Sequence, residues 1–131
     1  IMASILRVNT LTDASSNNST AMSTINQGTA KSWIHFEGDG TIAISDSFNV
    51  SSIADVTTGT YTVNINNDMS NAVYSATQSG IHDGGSYTGY LAIGHDTPPT
   101  ASAIEVHLMN PGNQARIDGE FLCNVIHGDL A

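Results

Sequence analysis

From Lys31 onward, turn-forming residues recur at short intervals, and no segment of ten or more residues between them keeps a helical period. Gly38-Asp39-Gly40, Thr57-Thr58-Gly59, Asn66-Asn67-Asp68, Asp83-Gly84-Gly85, Pro98-Pro99 and Pro111-Gly112-Asn113 punctuate the chain. Gly and Asn tolerate the backbone angles of tight turns, and Pro removes a ladder donor, so each cluster ends a strand. The breaks predict strands over Lys31–Glu37, Thr41–Ser45, Val50–Val56, Thr60–Ile65, Ala72–Thr77, Tyr87–Gly94, Ala103–Met109 and Glu120–Ile126. Such spacing specifies an all-β fold, an antiparallel sandwich or jelly-roll-like body. Within Tyr61-Thr62-Val63-Asn64-Ile65 the alternation is clean: Tyr61, Val63 and Ile65 face a core, and Thr62 and Asn64 face out.

The surface is polar without being charged. Only 11% of the 131 residues are Asp, Glu, Lys or Arg, against roughly 25% in an average soluble domain. Ser, Thr, Asn and Gly must supply the remaining polarity, which suits turn-rich sheets better than helices. The formal charge is -9, with Arg7, Lys31 and Arg116 as the three cations. No phosphate-neutralising patch can be built from three cations, which excludes a nucleic-acid partner. Anionic membrane surfaces are excluded for the same reason. No apolar stretch approaches the ~20 residues of a membrane span, so insertion is not expected. The single cysteine, Cys123, rules out an internal disulfide framework and reads as a small hydrophobe in a strand.

The chain divides at residue 30. Residues 1–29 form an N-terminal strand, Met2 to Leu11, followed by a Ser-, Thr- and Asn-rich stretch, Thr12 to Gly28. That stretch has only Met22 and Ile25 as sizeable anchors and reads as an extended connector. Residues 30–131 form the β body. Trp33, Phe36, Phe48 and Tyr61 are its expected core anchors, with Trp33 closing the entry to the body. With one Trp, three Phe and four Tyr the core is thin for eight strands, and small thin cores gain stability by self-association. Ile5, Leu6, Val8 and Leu11 have too little apolar area to fold alone, so they are the expected docking residues.

Candidate chemistry is sparse. None of the five histidines pairs at a spacing that places two ligands on one element. His35 shares a strand face with Trp33 and Glu37, and His107 lies beside Glu105. An ion shared between subunits on a symmetry axis is the one metal reading left. The acids mostly occupy turns, and no nucleophile elbow, phosphate loop or calcium loop occurs. No enzyme activity, metal or cofactor is expected. Gln78 to Tyr90 is rich in Gly and Ser and carries Tyr87 and Tyr90, a composition suited to recognition, and a second loop, His95 to Ser102, carries Pro98-Pro99. They nominate His82, Asp83, Tyr87, Tyr90 and His95 as receptor contacts on one exposed distal surface.

Ala30, Lys31 and Trp33, then Asp46 to Ile53, then Gly59 and Tyr61 to Asn64 match a longer pattern. Together with Met2-Ala3-Ser4-Ile5-Leu6-Arg7-Val8-Asn9-Thr10-Leu11, they resemble tail-fibre-type virion surface proteins of tailed bacteriophages, particularly marine ones. The resemblance implies a non-enzymatic virion structural protein. It implies a homotrimer that docks on other phage virion proteins through its N-terminal segment. The distal body would attach to a host surface glycan or envelope protein. The brevity of the chain keeps open a second expectation, a capsid decoration, cement or head-fibre protein that stabilises the virion.

Overall fold

In the computed structural model, which describes residues 5–82 and 89–131, two four-stranded antiparallel sheets pack face to face. The elements are β1 (Thr10–Thr12), β2 (Ser19–Ala21), α1 (Met22–Gly28), β3 (Ser32–Glu37), β4 (Ala43–Phe48) and β5 (Val50–Thr57). They continue with β6 (Thr60–Ile65), β7 (Ser75–Ile81), β8 (Tyr90–Ile93), β9 (Ala103–Met109) and β10 (Phe121–His127). One sheet has the order β4-β3-β10-β7 and the other β5-β6-β9-β8; β1 and β2 pair separately as a hairpin. The body is an all-β antiparallel sandwich. Among the described residues no helix is long and apolar enough to cross a membrane.

Period-2 alternation builds the core. Ile34, Phe36, Leu122 and Ile126 point inward from the first sheet, against Tyr61, Val63, Ile65, Leu91, Ile104, Val106 and Leu108 of the second. Phe36 and Tyr61 meet edge to face at 5.2 Å between ring centroids. A geometry of that kind adds roughly 0.5–1.5 kcal/mol to the burial itself. The chain crosses between sheets at Asn49, which stands at φ 56° between β4 and β5. Asn is one of the few side chains that tolerates this region. Its amide then staples the corner, donating to the Lys31 and Asn67 carbonyls and accepting from the Asn67 N–H.

Two expected core anchors lie elsewhere. Trp33 and Phe48 are cross-strand partners on the outer face of the first sheet, Trp33 half-buried and Phe48 52% exposed. The reason is the alternation itself. Ile34 and Phe36 occupy the inward positions of β3, so Trp33 must face outward with His35. Val125 and Thr77 continue the row across β10 and β7.

The N-terminal segment is more structured than an extended connector. Thr10–Thr12 pairs with Ser19–Ala21, while Ile5 to Asn9 are outside regular structure; Met2 lies outside the described residues. Asp13 organises the hairpin turn. Its carboxylate accepts from the Asn17 N–H, the Asn18 amide and the Ser15 hydroxyl. These hydrogen bonds, that of Asn18 foremost, hold the carboxyl below its ordinary range. The seven-residue helix α1 has no side-chain N-cap. Its far end is held from outside by the Lys31 ammonium, which donates to Asn26 O, Asn26 Oδ1 and Thr29 Oγ1. A cation there complements the orphan carbonyls of a helix end. Lys31 is buried, and its three donors meet three oxygens.

Candidate functional site

The sandwich has two unlike ends. At the arm end, Lys31, Asn49, Asn67 and α1 converge, and Gln27 donates to Asp129. Met69 and Leu130 form a bridge nearby, and Tyr74 donates to the Thr100 carbonyl at 3.0 Å. Burial raises the Tyr74 phenol above its ordinary value. An open groove of about 600 Å³ lies here, lined by Gln27, Val73, Tyr74, Ser75, His127 and Gly128.

At the opposite, free end the turns are stitched by residues that follow β9. Gly38 N–H donates to the Gly119 carbonyl, and the Asp118 carboxylate accepts from Gly59 N–H at 2.6 Å. Tyr61 O–H lies 3.0 Å from Gly38 O and 3.1 Å from Asp118 Oδ1. Burial, and then the Asp118 carboxylate, push the Tyr61 phenol well above its ordinary value. Gly59 stands at φ +62°, and a Cβ there would come within 2.6 Å of the Ile117 backbone. Backbone hydrogen bonds Asn110–Ala115 and Gln114–Asn110 close the turn beyond β9.

Of the sequence-nominated contacts that are described, His82 and Tyr90 share the free end and His95 lies apart from them. His82 is at the free end, half-buried, with Nδ1–H donating to the Asp118 carbonyl at 2.7 Å. That bond fixes its tautomer and uses one ring nitrogen. Tyr90, 43% exposed, starts β8 at the same end. Asp83 and Tyr87 lie outside the described residues. His95 follows β8, so the whole strand separates it from His82 and Tyr90. The loop after β8 then runs to the arm end, where Ala101 and Ser102 carbonyls accept from Met69 and Ile65. The start of this loop, His95 and Asp96, lies over His107 and Arg116 on the outer face of the second sheet, and its end reaches the arm end. Gln78 to Ile81, moreover, belong to β7 and not to a loop.

On the outer face of the second sheet lies a polar cluster that sequence reasoning placed only in part. His107 is buried and donates Nε2–H to Glu105 Oε1 at 2.8 Å. Arg116 reaches over it to Thr60 Oγ1 and to Asp96, which also pairs with the exposed His95. The Glu-x-His spacing was legible as one strand face; the cover supplied by Arg116 and Asp96 was not. Every one of these polar groups has a partner, which makes the cluster a clasp. Among the described residues no three His, Cys, Asp or Glu side chains could hold a metal ion.

The proposed docking residues are open: Ile5 is 73% and Leu6 80% exposed, and Val8 and Leu11 are also exposed. The geometry defines a small antiparallel β-sandwich with an arm at one end and a hydrogen-bonded cluster of turns at the other. No family model, curated protein or solved structure matches the chain.

Proposed function

We propose that this chain is a non-enzymatic surface protein of a tailed-phage particle, tail-fibre-like and homotrimeric, whose β body attaches to the host. The observation that carries the reading is the polarity of the sandwich. A poorly buried arm with exposed Ile5, Leu6, Val8 and Leu11 enters at one end. A set of turns joined through Asp118 and His82, with Tyr90 at the start of β8 beside them, stands at the other. An arm of this kind completes its burial on an assembly, while a hydrogen-bonded turn cluster presents contacts outward without an entropic penalty. Host contact is assigned to the free end around His82 and Tyr90, and not to His95. The ligand class is a host surface glycan or envelope protein. No catalytic role, metal or cofactor is assigned.

A second reading, capsid decoration, draws on the outer face of the first sheet. Phe48, Trp33, Val125 and Phe121 share that face, a surface suited to seating on another virion protein. One experiment separates the two. Purified protein added to host cells should compete with phage adsorption under the receptor reading. Unchanged adsorption, with particles lacking the protein becoming less stable to heat, would replace it with decoration.

A further inference from the structure

The sandwich has four edge strands, and three are protected. β4 carries a register shift opposite His35/Phe36 and the charge of Asp46. β5 carries two register shifts and Asp55. β8 has only four residues. These are the usual devices that stop an edge from pairing with another chain. β7 has none of them. Its seven residues, Ser-Ala-Thr-Gln-Ser-Gly-Ile, run in unbroken register with β10 and contain neither a charge nor a proline. Among the described residues no strand pairs with its other edge.

The same chain carries a segment without regular structure. Ile5 to Val8 precede β1 without a ladder partner among the described residues, and Asn9 is a bend whose carbonyl accepts from the Met22 N–H; drawn out as a strand, the segment would put Leu6 and Val8 on one side and Ile5 and Arg7 on the other. Five residues span about 17 Å at ~3.3 Å each, within the reach of a seven-residue strand. The charges also match. Asp13 is the sole acid before residue 30, so nearly all of the negative charge sits on the body. Arg7 has no ion-pair partner among the described residues, whereas Lys31 and Arg116 are already occupied. The groove lined by Val73, Tyr74, Ser75 and His127 opens at the start of β7, at the arm end. Val73 there is 90% exposed.

We propose that residues 5–9 of one copy add as an extra strand to the β7 edge of a neighbouring copy, with an apolar side chain of the arm entering the groove. The occupant is a second copy of this chain. Copies standing side by side with their arms at the same end bring each arm to the next copy's groove. Passed from each copy to the next, the contact closes as a ring of three under the homotrimer reading. The inference rests on the homotrimer reading and supplies its contact.

The test uses the intact chain in a Cys123→Ser background. A tagged Val8→Cys or Leu6→Cys variant is mixed with an untagged Thr77→Cys or Ser79→Cys variant, dissociated, reassembled and oxidised. A tagged–untagged disulfide is expected, and Ala54→Cys on the β5 edge should give none. Removing residues 1–9 should lower the mass in light scattering threefold while the thermal unfolding transition of the body persists. Three results would each overturn the proposal: a trimer mass that survives the deletion, cross-linking only to Ala54→Cys, or a monomeric double variant cross-linked within one chain. Cross-linking in particles only to a different virion protein would also overturn it, yet would leave the virion reading standing. Absence of the protein from particles would instead remove that reading and leave the arm exchange to be decided by the disulfides.

Discussion

The hydroxyl of Tyr61 lies 3.0 Å from the carbonyl oxygen of Gly38, which joins β6 of one sheet to the turn after β3 of the other. The approach is so close that any Cβ at position 38 would overlap the Tyr61 ring. Glycine is required there for space, and the inter-sheet bond follows from its absence of a side chain.

Tyr61→Phe removes this bond and the contact with Asp118, leaving buried acceptors short of a donor. A loss of about 1–3 kcal/mol is expected in denaturant unfolding. The pH dependence follows from the raised phenol. The folded state keeps a proton that the unfolded chain releases near pH 10. Its contribution is therefore complete below that pH and is lost as pH rises above it. Stability of the parent chain should fall above about pH 10, with a shallower fall in Tyr61→Phe. Tyr74 shifts in the same direction and accounts for a residual slope.

Phe36 and Trp33 are three residues apart and face opposite ways. Phe36→Ala should cost about 3–5 kcal/mol, as for any large side chain fully inside a core. Trp33→Ala should cost clearly less, because Trp33 is half-buried on an outer face. Unfolding curves of the two variants check the order, and acrylamide should quench Trp33 fluorescence in the folded, isolated protein.

Lys31→Met should leave the sandwich folded and release α1. The ammonium is the group that holds Asn26 and Thr29 together at the helix end. Hydrogen exchange at Ile25 to Thr29 should accelerate while β3 and β10 stay protected. Loss of protection throughout would contradict this.

Asn124 is 1% exposed on the inner face of β10, and among the described residues neither polar atom of its amide has a hydrogen-bond partner. Its cross-strand neighbour Gln78 has an unpartnered buried Nε2 as well. Unpaired buried amides cost about 1–3 kcal/mol. Asn124→Leu, close in size, should therefore raise the unfolding free energy by about 1 kcal/mol or more. A decrease would contradict the assignment.

The β-body was legible because turn residues and alternation are local signals. The facing of β3 could be read as well: His35 was placed with Trp33, and taking that alternation through excludes Trp33 from a core that contains Phe36. Other features have no local signal. Gln78 to Gly80 are poor strand formers by type, and only pairing with Leu122 to Asn124 makes them a strand. Helix α1 is too short for a period to show and depends on a lysine outside it. The clasp over His107 joins Asp96, Glu105 and Arg116 from separate segments, which spacing along the chain does not reveal.

A cryo-EM reconstruction of the tailed-phage particle proposed to carry this chain tests the central proposal most directly. The account predicts three copies at the particle surface, the arm end with residues 5–29 turned inward, and the end bearing Tyr90 and Asp118 turned to solvent. Particles without this chain, or with the Tyr90 end buried and the arms free in solvent, would contradict it.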